Sequence, residues 1–410
     1  MAKKSATLVM NELMFDKQSK GERVVNLGFG EAGLPVLPSL TKIAAEHLPQ
    51  NSYPYVQGGA QVRKSISGYF RRRGIASDSE LCLTAPGSKA IIYALLLAIQ
   101  GDLILSRPSW TSYGMQAQLM GKKVVWVDTP EVAGGIPDPS LLQQAIDTDR
   151  AEGGNPRILL ITNPDNPSGT VSPADALSKL ATIAKNNDLT IISDEIYRDL
   201  AYDQKQYVSI AELAPERTIV TTGMSKSLAL GGWRVGAATF PKNDLGQRLY
   251  DSVVGSASEI WSGMAIFLEP VAEYAFAEPQ DVRQRVAQSR ILHQKVSHAI
   301  YEIFEAAGAK VREPNGAFYM YPTFRNTEIA ERFGVTDDRQ LSSLLLAEKG
   351  IATLPGRAFG DKPERMGLRV VTSMVYGTND EERETTLHSQ DPVNEPSVRQ
   401  ALDHVREVLL

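Results

Sequence analysis

The sequence predicts an α/β protein with a mostly parallel central sheet sandwiched by helices, and a smaller α+β domain built from both termini. Three observations carry this. Between about residues 80 and 240, short β-branched runs alternate with helix-like segments. Those runs are continuously apolar, the pattern of strands covered on both faces. After about residue 280 the texture changes to a long amphipathic helix and short strand-like pieces. A chain of 410 residues exceeds one ordinary core. The expected division is a large domain over 46–285 and a small one formed by 1–45 with 286–410.

The expected strands, in order, are "DLILS" 102–106, "KVVWV" 123–127, "ILLIT" 158–162, "TIIS" 190–193, "TIVTT" 218–222 and "GAATF" 236–240. Helices fill the gaps, among them "SKAIIYALLLAIQ" 88–100 and "PADALSKLATIAKNN" 173–187. The amphipathic stretch starting at Asp281 is a helix, followed by strand-like "GAFYMYP" and "GLRVVTSM". The polar segment 377–397 reads as a surface loop before a last helix, "VRQALDHVREVLL". "GFGEAG" has the spacing of a dinucleotide fingerprint, with Gly28, Gly30 and Gly33. A fingerprint must open a helix, and Pro35 and Pro38 argue against one here.

Composition narrows the function. A net charge of −5 with no long basic cluster does not prepare the surface for nucleic acid. No apolar run is long enough for a transmembrane helix. The basic opening "MAKKSATLVMNELMF" is interrupted by Asn11 and Glu12, unlike a secretory leader. The single cysteine, Cys82, excludes an intramolecular disulfide and a cysteine-based metal cluster, and suits a reducing cytoplasm.

Reactive residue types recur just past the carboxyl ends of the expected strands, the edge where open α/β sheets bind ligands. Trp110 follows "LILS", Asn166 follows "ILLIT", Asp194 closes "TIIS", and Lys226 follows "TIVTT". Asp194 is either a buried acid in need of a partner or a helix N-cap. "NPDNPSGT" is a rigid turn that also carries Asn166. In "APGSKAIIYALL", Gly87 leads into a helix whose first amides, at Ser88 and Lys89, are either an ordinary helix start or a phosphate cradle. Arg234, after a Gly-Gly turn, is placed to grip the same phosphate. A lysine at a sheet edge escapes the cost of burial by forming a Schiff base. Pyridoxal 5′-phosphate requires such a lysine, a phosphate cradle, an acid for its ring nitrogen and an aromatic cover, and these residues supply all four.

As a set, "GFGEAGLP", "YPYVQGGAQVR", "PGSKA", "RPSWTSY", "NPDNPSGT", "SDEIY", "SKSLALGGWRVG", "GAFYMY", "LPGRAFG" and "LRVV" resemble the class I and II aminotransferases of the pyridoxal-phosphate fold-type I superfamily. The resemblance implies catalytic roles for Lys226, Asp194 and Tyr197. Lys226 would carry the cofactor as a Schiff base and shuttle the proton between substrate Cα and the cofactor. Asp194 would keep the ring nitrogen protonated, Asn166 and Tyr197 would hold the ring oxygen, and Trp110 would stack on the ring. Gly87, Ser88, Lys89, Ser225 and Arg234 would surround the phosphate, with Tyr53 reaching it from the neighbouring subunit of a homodimer. Arg369, aided by Gly30 and Asn166, would bind the substrate carboxylate. The implied reaction moves an amino group from an L-amino acid to a 2-oxo acid. The same site chemistry also permits β-elimination, cyclisation or oxidation of an amino acid. A ligand-sensing regulator would need a separate DNA-binding segment, for which a pattern starting near residue 23 leaves no room.

Four features depart from the family pattern. Gly223 stands where many relatives have a phosphate-binding serine, leaving Ser225 or Thr222 to replace its hydroxyl. Arg357 in "LPGRAFG" lines the substrate entrance, where it would recognise an acidic side chain, or else faces solvent. Trp261 in "SASEIWSGMAIF" is placed to shape substrate choice, and with Trp110 and Tyr113 would favour apolar or aromatic side chains. The 377–397 segment is longer than in relatives.

Overall fold

Seven strands end up in one sheet because their apolar runs can be buried on both faces only between two helical layers. The structure, a computed structural model, describes residues 6–410. Of the basic opening, residues 1–5 therefore lie outside the described residues. The strands are β1 (Cys82–Pro86), β2 (Asp102–Arg107), β3 (Val124–Asp128), β4 (Pro156–Thr162), β5 (Thr190–Asp194), β6 (Thr218–Gly223) and β7 (Val235–Thr239). Their order across the sheet is β1-β7-β6-β5-β4-β2-β3.

Neighbouring strands are parallel except at β7, which runs antiparallel to both β6 and β1. The sequence runs locate six of the seven strands to within a residue or two at each end and miss β1. The reversed strand has a direct consequence for the site. The amino end of β7 lies at the same edge as the carboxyl ends of β1, β2, β4, β5 and β6. Two apolar layers sandwich the sheet: Ile91, Ile92 and Leu95 pack with Leu103, Leu105 and Ile219 on one side, and Leu177, Leu180 and Ala184 with Ile104, Leu159 and Ile191 on the other.

The carboxyl-terminal part holds a three-stranded antiparallel sheet, with β10 (Leu368–Val371) between β9 (Leu354–Pro355) and β8 (Tyr319–Met320). A long helix, Gln280–Ala306, passes through residue 285 and presents Leu292, Val296, Ile300 and Ile303 to this sheet's core. The amino-terminal segment joins by pairing Val25–Asn26 in parallel with Ile351–Ala352. Residues 28–33 are not helical, as the prolines require.

The expected loop at 377–397 is corrected: it contains a helix, Asp380–His388, and a short turn of helix at Pro392–Asn394. Its polar composition conceals four stabilising features. The Asn379 side chain accepts from the Glu382 amide as an N-cap, and Asp380, Glu381 and Glu382 sit at the positive helix end. Thr386 and Leu387 are buried, and Glu384 pairs with buried Arg285 at 3.0 Å. Asn379→Ala is expected to cost about 1 kcal/mol of local stability. Hydrogen exchange should read this as faster exchange confined to the amides of 380–388.

Candidate active site

The sheet edge delivers the predicted residues to one place. Thr162, Asp194 and Thr221 are successive partners across β4, β5 and β6, so the turns that follow those strands start level with one another. Lys226 lies three residues past the end of β6, in a short helical turn at Met224–Ser227. Its Nζ donates to the Gly30 carbonyl at 2.6 Å and lies 5.8 Å from the centre of the Tyr197 ring and 5.9 Å from that of Phe318. Burial lowers its pKa to about 8; the nearby Arg369, Arg234 and Lys89 add to the shift, and Glu31 opposes it. The amine is thus far closer to its nucleophilic, neutral form at physiological pH than a surface lysine is.

Asp194 is the last residue of β5, so it serves the sheet edge and caps no helix. Its carboxylate is fully enclosed and receives Tyr113 Oη at 2.7 Å and Thr221 Oγ1 at 3.2 Å. Burial pushes its pKa up to about 6 despite these donors. A buried acid held only by neutral donors gains most from a cationic partner.

Asn166, in the turn after β4, has its Nδ2 3.4 Å from Tyr197 Oη, and its buried Oδ1 has no partner. Trp110, which opens the helix Thr111–Leu119, meets the Tyr113 ring edge-on at 5.0 Å, and Lys89 Nζ lies 4.9 Å from the centre of its ring.

The opposite side of the site is an anion cradle. Helix Ser88–Ala98 starts at Gly87, at φ +86°, with no side chain capping its first amides. Arg234, at the start of β7, folds over this point: its Nη2 lies 3.4 Å from the Pro86 carbonyl, and a Cβ at Gly87 would lie 2.2 Å from it. The close packing of β7 against the cradle depends on Gly236, where a Cβ would come within 2.3 Å of the Gly87 carbonyl carbon. Uncapped helix amides beside a guanidinium make a local positive site of the kind that attracts an anion.

Arg369, in β10, is 3 % exposed. Its Nη2 donates to the Gly28 carbonyl, its Nε has no partner, and its guanidinium lies 5.4 Å from the Tyr319 ring centre and 5.2 Å from that of Phe359. No acid pairs with it among the described residues, and burial lowers its pKa. Such a cation is poised for a carboxylate brought by a ligand.

The departures are now placed. At Gly223 a Cβ would lie 2.6 Å from the Val235 carbonyl oxygen, so this geometry has no room for a serine. Thr222 Oγ1 donates to the Glu195 carbonyl at 3.3 Å, which leaves Ser225 as the free hydroxyl of the two. Arg357 does not face solvent freely. It clamps the start of the helix Asp338–Ala347, contacting Asp338 at 2.6 Å and Asp337 at 2.9 Å. Tyr113 is not a selector of substrate side chains, because its ring is buried and its hydroxyl is spent on Asp194 and Thr162. Trp261 ends the helix Asp244–Ile260 and keeps a buried, unpartnered Nε1. Tyr53 stands apart from the other site residues, 91 % exposed and without a side-chain partner among the described residues. Thr221, Gly236 and Tyr319 are not legible as site residues in the sequence; "GAFYMYP" reads as a strand motif, and nothing in it marks the tyrosine's hydroxyl.

A family model described as aminotransferase class I and II matches residues 22–381, and the chain belongs to that family. It is a pyridoxal-phosphate-dependent aminotransferase. It is 29 % identical over 379 residues to an aspartate aminotransferase of Geobacillus stearothermophilus, covering 90 % of this chain and 92 % of the relative. An aspartate/prephenate aminotransferase of Thermus thermophilus is 29 % identical over 87 % of this chain and 89 % of its own length. Among solved structures, the aspartate aminotransferase of Thermus thermophilus with maleate superposes with a TM-score of 0.84 at 26 % identity, covering 99 % of this chain and 97 % of that one. No helix among the described residues is long and apolar enough to cross a membrane.

The residues present fit the cofactor: an uncapped helix start beside Arg234, an enclosed acid without a cationic partner, and an orphaned Asn166 oxygen. Capture of pyridoxal phosphate by the stripped protein should speed up as pH rises through about 8, as Lys226 sheds its proton. Stopped-flow absorbance checks this; a rate still climbing toward pH 10 would assign capture to an unshifted lysine.

Proposed function

We propose that Lys226 and Arg369 divide the transamination between them: Arg369 fixes the substrate by its carboxylate, and Lys226 moves the proton at its Cα. The observation that carries this reading is the buried, acid-free guanidinium of Arg369 near a lysine whose charge burial weakens. When bound, the cofactor supplies an electron sink that stabilises the substrate after its Cα proton leaves and carries the nitrogen to a second oxo acid.

The chain's own residues do the rest. Arg369 and the backbone at Gly30 orient the carboxylate, which fixes the direction of the Cα–H bond. Asn166, beside the Tyr197 hydroxyl, would contact the carboxylate and the ring oxygen. Lys226 accepts the Cα proton as a general base and returns it from the same nitrogen as an acid, a role favoured by a pKa near operating pH. Asp194, backed by Tyr113 and Thr221, holds a proton on the ring nitrogen. Tyr197 donates to the ring oxygen, and Trp110 covers the ring and excludes water from one face. The amides of Ser88 and Lys89, the turn at Gly87, Ser225 and Arg234 hold the phosphate.

Two further elements belong to this reading. The chain works as a homodimer in which the exposed Tyr53 completes the neighbour's phosphate site. The domain of residues 1–45 and 286–410, which carries Gly30 and Arg369, closes on the 46–285 domain when substrate binds. The names of the relatives make aspartate the first donor to try, with a 2-oxo acid as acceptor.

Arg369→Ala should raise KM for every amino donor on the order of 100-fold, about 3 kcal/mol for one charge-assisted pair. Single-turnover absorbance with a panel of amino donors provides the measurement. An unchanged KM would move the carboxylate site elsewhere, and failure of every donor to change the wild-type spectrum would remove transamination itself.

A further inference from the structure

Tyr319 is fully buried in β8, and its side chain touches three parts of the site. Its hydroxyl lies 2.8 Å from that of Tyr197. Its ring lies beneath the Arg369 guanidinium, 5.4 Å from ring centre to Cζ, with Phe359 as a second aromatic contact of the same group. The same hydroxyl presses on Gly30, where a Cβ would sit 2.8 Å from it, and the Gly30 carbonyl takes the Lys226 ammonium.

On the reading just given, we propose that Tyr319 is a positioning residue that couples the ring-oxygen site to the carboxylate site. The hydrogen-bond inventory supports this. Tyr197 has one proton and an oxygen with two acceptor positions. If its proton goes to the cofactor's ring oxygen, the acceptor positions are filled by Asn166 Nδ2 and the Tyr319 hydroxyl. Two donors on its oxygen polarise Tyr197 and make it the stronger donor, so negative charge on the ring oxygen is held more firmly. The ring of Tyr319 acts separately, steadying the Arg369 guanidinium by a cation–π contact.

The two functions separate by substitution. Tyr319→Phe keeps the ring and removes the hydroxyl. No charged group changes: Arg369, Arg234 and Lys89 still face Lys226, and Glu31 still lies near it and Tyr319. With Tyr197 weakened as a donor, the visible band of bound pyridoxal phosphate should titrate at higher pH, with roughly two- to fivefold greater proton affinity. KM for amino donors should stay within about twofold of wild type, because the ring's cation–π contact with Arg369 remains. Tyr319→Leu should shift the band likewise and also raise KM.

A purely structural role would lower the thermal midpoint and leave the band's midpoint in place. An unshifted midpoint in Tyr319→Phe overturns the proposal while leaving the site assignment intact. Absence of any titrating band in the wild-type protein overturns both.

Discussion

The site depends on one packing constraint, the antiparallel insertion of β7 between β1 and β6. Its two ends of contact are the pairing of Gly223 with Gly236 and the pressing of Gly236 against the Gly87–Ser88 backbone. A side chain on either glycine would push β7 away from its neighbours. Because β7 runs backwards, Arg234 at its start reaches the edge where β1 opens a helix and β6 delivers Lys226. A wholly parallel sheet would carry Arg234 to the far side of the molecule. The same constraint explains why position 223 has no room for the serine that the family resemblance leads one to expect.

Burial then sets the chemistry. Asp194 and Arg369 are buried and Lys226 is partly buried, and none forms an ion pair with another, so each keeps an unmet electrostatic demand. A protein built for stability alone would pair or remove such groups, since a buried unpaired charge costs several kcal/mol. Other buried charges are paired: Arg73 bridges Asp199 and Glu278, and Arg198 meets Glu195 at 2.9 Å. Neighbouring hydroxyls of Tyr113, Thr221, Tyr197 and Tyr319 fix orientation in the site without neutralising charge.

Much of this was legible in the sequence. Long apolar runs give the strands their positions, and reactive residues just past those runs point to the edge, because strand direction and burial are local properties. What escaped notice depends on partners distant in the chain. β1, "CLTAP", carries too little β-branched character to stand out, and the reversal of β7 is a matter of pairing. Tyr113 reads as a helix residue placed to face substrate, and only its contact with Asp194, eighty-one positions on, reveals its use. Arg357 reads as a free cation, and only folding brings Asp337 and Asp338 to it. The helix at 380–388 was hidden because its stability comes from a cap, acidic first-turn residues and a contact with Arg285.

The central claim is that the carbonyl cofactor is anchored at the edge of β6. Borohydride reduction of the protein loaded with pyridoxal phosphate fixes the cofactor to its lysine as a stable secondary amine, and peptide mass spectrometry locates it. The account predicts the modification on the peptide containing Lys226. Stoichiometric modification of any other lysine, with Lys226 untouched, would contradict it.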